Sequence, residues 1–249
     1  RTLFKAGDVV AVDDPGYCNV LQVLKLAGLR VVGVPRTPDG LDTAALETIL
    51  RADDTDRPRA LFTSSVLQNP TGSSMTAQNA YRVLQLAEQH GLWIVEDDLH
   101  RELADPAAPM LAALDGLRRT LYVSGFSKTI SPSLRAGYVV ADAAITRELA
   151  RTKMAVALTS SEITERIVHA FVTRPVYGEH VARLIARLGE AHTHVEALMR
   201  QHGAELFDTP GRGLFLWARL PGHADAAALA NRAIDHNIWL APGQYFRPH

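Results

Sequence analysis

The chain has 249 residues, of which 47% are apolar and 21% charged, with a formal net charge of −1. That length holds one large domain or two modest ones, and the composition is ordinary for a globular protein. It speaks against the basic surface of a nucleic-acid binder, against a run of about 20 apolar residues spanning a bilayer and, with Cys18 the single cysteine, against an internal disulfide framework.

Arg1 to Phe4 reads as the last turn of a helix, closed at Gly7. A short apolar run over Asp8 to Val12 predicts a strand, and Asp13-Asp-Pro-Gly16 a turn. Tyr17 to Ala27 has helical periodicity and stops at Gly28, and Leu29 to Val34 is the next strand. Asp42 can cap a helix running to about Leu50. Ala60 to Ser64 is a third strand, followed by the loop Gln68-Asn-Pro-Thr-Gly72. Thr76 can cap a helix ending at Gly91, with Ala80, Val83, Leu84 and Ala87 as its buried stripe. Leu92 to Val95 is a strand that runs into Glu96-Asp97-Asp98. Thr120 to Val123 and Ala136 to Val140 read as two more strands.

From Asp142 the pattern turns helical, breaks at Thr173-Arg-Pro175, and resumes as one long helix over Val176 to Gln201. Ala204 to Phe207, Leu214 to Leu220 and Ile238 to Leu240 read as strands around a helix from Asp225 to His236. Strands alternating with helices predict an α/β domain over 1–175 with a mainly parallel sheet flanked by helices. A smaller α+β domain follows over 176–249. Both ends read as cut. In such sheets ligands gather beyond the carboxyl ends of the strands. Tyr17, Asn69, Asp97 and Lys128 all lie just past predicted strand ends.

One stretch carries the chemistry: Ser124-Gly-Phe-Ser-Lys-Thr-Ile-Ser-Pro-Ser-Leu-Arg-Ala-Gly-Tyr138. Lys128 and Arg135 lie seven residues apart in a connection rich in Ser, Gly and Pro. A lysine amine can serve as a nucleophile, and a guanidinium is a fixed fork of donors suited to phosphate. Together they suggest pyridoxal phosphate held as a Schiff base on Lys128. Gly211-Arg-Gly213 lacks the third glycine and the following helix of a dinucleotide fingerprint. His192 and His194, two apart on a helix, face different ways and make no metal pair.

The segment Ser-Lys-x-x-x-Pro-x-x-Arg-x-Gly resembles the cofactor-lysine signature of fold-type I pyridoxal-phosphate enzymes, the class I/II aminotransferases. The fit is closest to the branch that includes the aminotransferase-like domains of MocR-type regulators. The resemblance implies that Asp97 pairs with the pyridine nitrogen and Asn69 donates to the ring oxygen. It also implies that Tyr17 lies against the ring and that Ser127 and Arg135 bind the phosphate. Side chains alternate along a strand, so at most one of Asp97 and Asp98 faces a site, and the resemblance selects Asp97.

Two positions depart from the pattern. His100 stands where many relatives have a tyrosine that donates to the ring oxygen, and Gly125 where many have a serine, with Ser124 displaced by one. The N-terminal phosphate loop and the arginine that grips a substrate carboxylate find no match, and Arg247 comes too early for the latter.

The implied activity is transfer of an amino group between an amino acid and a 2-oxo acid, by a homodimer; the single cysteine, Cys18, fits a reducing cytoplasm. The implied alternatives are an effector domain of a MocR/GntR-type regulator, touching DNA only through an upstream winged helix, and a lyase or decarboxylase of the same fold.

Overall fold

The computed structural model describes residues 2–208 and 211–248. Its centre is a seven-stranded sheet in the order β3-β2-β1-β4-β5-β6-β7. The strands are β1 (Val9–Asp14), β2 (Arg30–Thr37), β3 (Gly40–Leu41), β4 (Ala60–Thr63), β5 (Trp93–Asp97), β6 (Thr120–Gly125) and β7 (Gly137–Val140). β1 pairs in parallel with β2 and β4, β4 with β5, and β5 with β6; β3 and β7 run antiparallel at the two edges. The sheet is thus mainly parallel and flanked by helices, as the alternation of elements predicts.

The period of two sorts side chains to the two faces. Ala11, Leu61 and Ile94 pack against α2 (Thr43–Leu50), α3 (Ala77–His90) and α4 (Leu111–Asp115) through Leu46, Leu50, Val83, Leu86 and Leu111, all fully buried. Burying one such leucine is worth roughly 2 kcal/mol. Their neighbours Val10, Val12 and Ala60 face the other way, onto Leu21 and Leu24 of α1 (Cys18–Leu26). Helix boundaries follow local chemistry. The Asp42 carboxylate accepts from the amides of Ala44 and Ala45, and Thr76 Oγ1 from that of Asn79, so each relieves free donors of a first turn. Gly91, at φ 66°, ends α3 in the left-handed region that costs glycine little.

After β7 come α5 (Ala143–Ala157), α6 (Glu162–Val172) and α7 (Pro175–Gln201), then a two-stranded antiparallel pair, β8 (Glu205–Leu206) with β9 (Ala218–Arg219), and α8 (Ala226–Ile234). Leu184, Ile185 and Leu188 of α7 pack on Val66, Leu67, Leu103 and Ala104 and so fix the long helix beside the sheet.

Several expectations are corrected. Thr2 to Phe4 is not helical, and Ile238 to Leu240 is not a strand because nothing among the described residues pairs with it. The Leu214 to Leu220 run contributes only β9. The buried stripe of α3 uses Leu86, while Leu84 is only partly buried. The apolar β7 lies at an edge with Tyr138, Val139 and Val140 exposed. The short β3 and α4 carry too few residues for a periodicity to show.

Candidate active site

The carboxyl ends of β1, β4, β5 and β6 open onto a cavity of about 760 Å3. All seven residues singled out from the sequence line it: Tyr17, Asn69, Asp97, His100, Ser127, Lys128 and Arg135. They come from strand ends and turns spread over more than a hundred residues, gathered because parallel strands end on one side.

The three acids at the end of β5 divide as alternation requires. Glu96 is fully buried on the helix side, accepting from Ser65 Oγ at 2.5 Å and from the amides of Leu111 and Ala112 at 2.9 and 2.8 Å. It therefore caps α4. Asp98 faces the same way and pairs with Arg101 at 2.6 Å; burial raises its carboxyl to about 6 against the pull of that guanidinium. Asp97 alone turns to the cavity. Burial pushes its pKa up; the Leu99 amide opposes this, the nearby Asp13 carboxylate reinforces it, and the Lys128 charge opposes it.

His100 is buried, and burial with the nearby Lys128 charge lowers its pKa to about 4, so it is neutral near pH 7. Its ring meets Phe215 edge-on, with centroids 5.4 Å apart. Its Nε2 has no hydrogen-bond partner among the described residues. Ser124 does not replace the missing serine in the cavity: its hydroxyl donates to the Asp98 carbonyl at 3.0 Å. Arg135 is exposed, in the left-handed region at φ 50°, and donates to the Pro132 carbonyl at 3.5 Å. Arg247 pairs with Asp14 at 2.7 Å, which accounts for it otherwise than as a carboxylate grip.

Behind these residues lies a buried polar cluster that the sequence did not reveal. Asp13 accepts from Thr63 Oγ1 at 2.7 Å and pairs with Arg36 at 3.3 Å, both buried. Burial raises the Asp13 carboxyl and lowers the Arg36 guanidinium, while each opposes the shift of the other. Gln68 donates to the Pro15 carbonyl at 2.8 Å, tying the turn before Tyr17 to the loop bearing Asn69. Only the residue types Asp, Arg and Gln at apolar strand ends hinted at this.

The donor set fits pyridoxal phosphate. An amine, a carboxylate, a carboxamide, a phenol ring, a hydroxyl and a guanidinium share one cavity, and a buried imidazole nitrogen there has no partner among the described residues. Among the described residues no cluster of metal-ligating side chains occurs, and no helix is long and apolar enough to cross a membrane.

Comparison with known proteins gives the same direction. The family profile described as "Aminotransferase class I and II" matches residues 1–248. The 2-aminoadipate transaminase of Thermus thermophilus is 32% identical over 254 residues, covering 99% of this chain and 63% of its own length. The probable rhizopine catabolism regulatory protein MocR of Rhizobium meliloti is 29% identical over 97% of this chain and 48% of its own. The crystal structure of LysN, the alpha-aminoadipate aminotransferase of Thermus thermophilus complexed with N-(5'-phosphopyridoxyl)-L-leucine, superposes with a TM-score of 0.88. It shares 29% identity, over 99% of this chain and 64% of that one. The chain thus spans less than two thirds of the length of these relatives.

Proposed function

Because the chain belongs to the class I and II aminotransferase family, we propose that it serves a pyridoxal-phosphate-dependent aminotransferase acting on an amino acid and a 2-oxo acid. The observation that carries this reading is the convergence of Lys128, Asp97, Asn69 and Tyr17 on one cavity.

In this reading Lys128 holds the cofactor through Nζ, Asp97 holds a proton at the ring nitrogen, and Asn69 and His100 address the ring oxygen. Tyr17 covers one face, and Ser127 and Arg135 take the phosphate. When bound, the cofactor supplies an electron sink for the pair left as the substrate's α-hydrogen departs. The chain's own work is to orient the amino acid, and to move that proton with the Lys128 amine. Neutral His100 suits a donor that adds no charge to the site. The large domain ends near Pro175 in this reading.

A cytoplasmic homodimer belongs to the same reading. Met154, Val156, Leu158 and Ile163 on and between α5 and α6 are between 66% and 78% exposed, the kind of apolar face that a second subunit covers. Light scattering of the holoprotein as a monomer at working concentration would count against the dimer.

A second reading, an effector domain of a MocR-type regulator, is favoured by the similarity to that regulator. Borohydride reduction of the holoprotein, digestion and mass analysis test the shared premise: the pyridoxyl tag is expected on Lys128, and a tag elsewhere refutes it. Conversion of an amino acid to its 2-oxo acid by the unreduced holoprotein then supports the enzyme; binding without conversion supports the regulator.

A further inference from the structure

The turn that bears Lys128 is gripped from outside the sheet. Thr129, next in the chain and 3% exposed, is held at two atoms by α7. The Tyr177 hydroxyl bonds to Thr129 Oγ1 at 2.9 Å and donates to the Glu102 carboxylate. His180 Nε2 lies 2.7 Å from the Thr129 carbonyl; a carbonyl only accepts, so the imidazole carries its proton on Nε2. Tyr177 and His180 are three residues apart and therefore share one face of the helix. Phe171 of α6 stands edge-on to both rings, with centroids 6.3 and 6.1 Å away, and limits their rotation. On its other side the turn is fixed to the sheet edge, where the Phe126 amide donates to the Ala136 carbonyl at 3.2 Å.

We propose that Tyr177 and His180 are positioning residues for the Lys128 amine, acting through Thr129; the proposal rests on the role given to Lys128 above. The physical reason is that an amine that must attach, detach and carry protons cannot itself be tied down. Its side chain has four rotatable bonds, so its accuracy depends on where the backbone starts it. Two bonds to the adjacent residue hold that start. The grip also links distant parts of the fold. α7 packs on Val66, Leu67, Leu103 and Ala104, and its His192 bonds the Gly213 carbonyl at 3.0 Å, two residues before Phe215, which touches His100. A shift of α7 therefore reaches both Lys128 and His100.

The test reads the lysine directly, with no cofactor present. The chain is trace-labelled with acetic anhydride, and Lys128 is compared by peptide mass with Lys5, Lys25 and Lys153 in the same sample. Thr129→Val removes the hydroxyl at constant shape, Tyr177→Phe removes one atom from a partly exposed ring, and Thr129→Ser restores the bond. In Thr129→Val and Tyr177→Phe, Lys128 is expected to label several-fold faster while the reference lysines keep their rates; Thr129→Ser is expected to behave as the parent. The rate at which added pyridoxal phosphate becomes reducible onto Lys128 is expected to fall about tenfold, the equilibrium worth of one hydrogen bond. Parental Lys128 labelling in both Thr129→Val and Tyr177→Phe overturns the proposal, as does Thr129→Ser matching Thr129→Val. If the parent itself takes no pyridoxyl tag at Lys128, the functional reading fails, and the labelling comparison still judges the grip.

Discussion

Replacing His100 by phenylalanine should flatten the acid limb of the stability curve. The imidazole is 6% exposed, and burial, aided by the Lys128 charge, lowers its pKa to about 4 from an unfolded value of 6.5. The folded state therefore refuses a proton that the unfolded chain accepts. Stability is fully present above the unfolded pKa and is lost as the pH falls toward the folded one, at about 1.4 kcal/mol per pH unit. Between about pH 7.5 and about pH 4.5 this amounts to roughly 2 to 3 kcal/mol. Asp98 has the opposite sign: its carboxyl is raised to about 6 by burial, so its contribution is present below 3.8 and lost as the pH rises through about 6. Both proteins carry Asp98, so its contribution cancels when the two are compared. The assay is urea denaturation of parent and variant at both pH values. The parent should lose roughly 2 to 3 kcal/mol more than the variant on acidification. Equal losses, within about 0.5 kcal/mol, would refute the burial argument for His100.

Asp97→Asn should retain cofactor yet lose at least about a hundredfold in exchange of the substrate's α-hydrogen, read by deuterium uptake, because the ring nitrogen loses its charge partner; near-parental exchange refutes the assignment. Arg36→Met should cost about 3 kcal/mol or more in denaturant titration, since it strands the buried Asp13 carboxylate; a neutral result would mean that Asp13 is protonated in the native state. Leu61→Ala, in a central strand at 0% exposure, should cost about 3 kcal/mol, and a thermal midpoint equal to the parent's would show that the core had collapsed onto the gap.

Features that neighbours along the chain decide were legible from residue order. The caps at Asp42 and Thr76 and the stop at Gly91 act within one helical turn, so residue type at one position suffices. The strands of the parallel sheet were legible because, buried on both faces, they read as continuous apolar runs. The seven residues that line the cavity could be singled out because Tyr17, Asn69, Asp97 and Lys128 follow predicted strand ends and the family resemblance points to the others. Alternation also limited the acids after β5 to one in the cavity.

The remaining features depend on contacts that exist only once the chain is folded. Ile238 to Leu240 has strand-forming residues, but a strand needs a partner, and among the described residues none pairs with it. Glu96 turns away from the cavity toward Ser65 and the first turn of α4, groups that only the fold brings near. Gln68 joins two loops across 53 residues, and Tyr177 reaches Thr129 across 48. Such bonds leave no period or spacing in the chain, because their geometry is set by the packing of whole elements rather than by the residues between them.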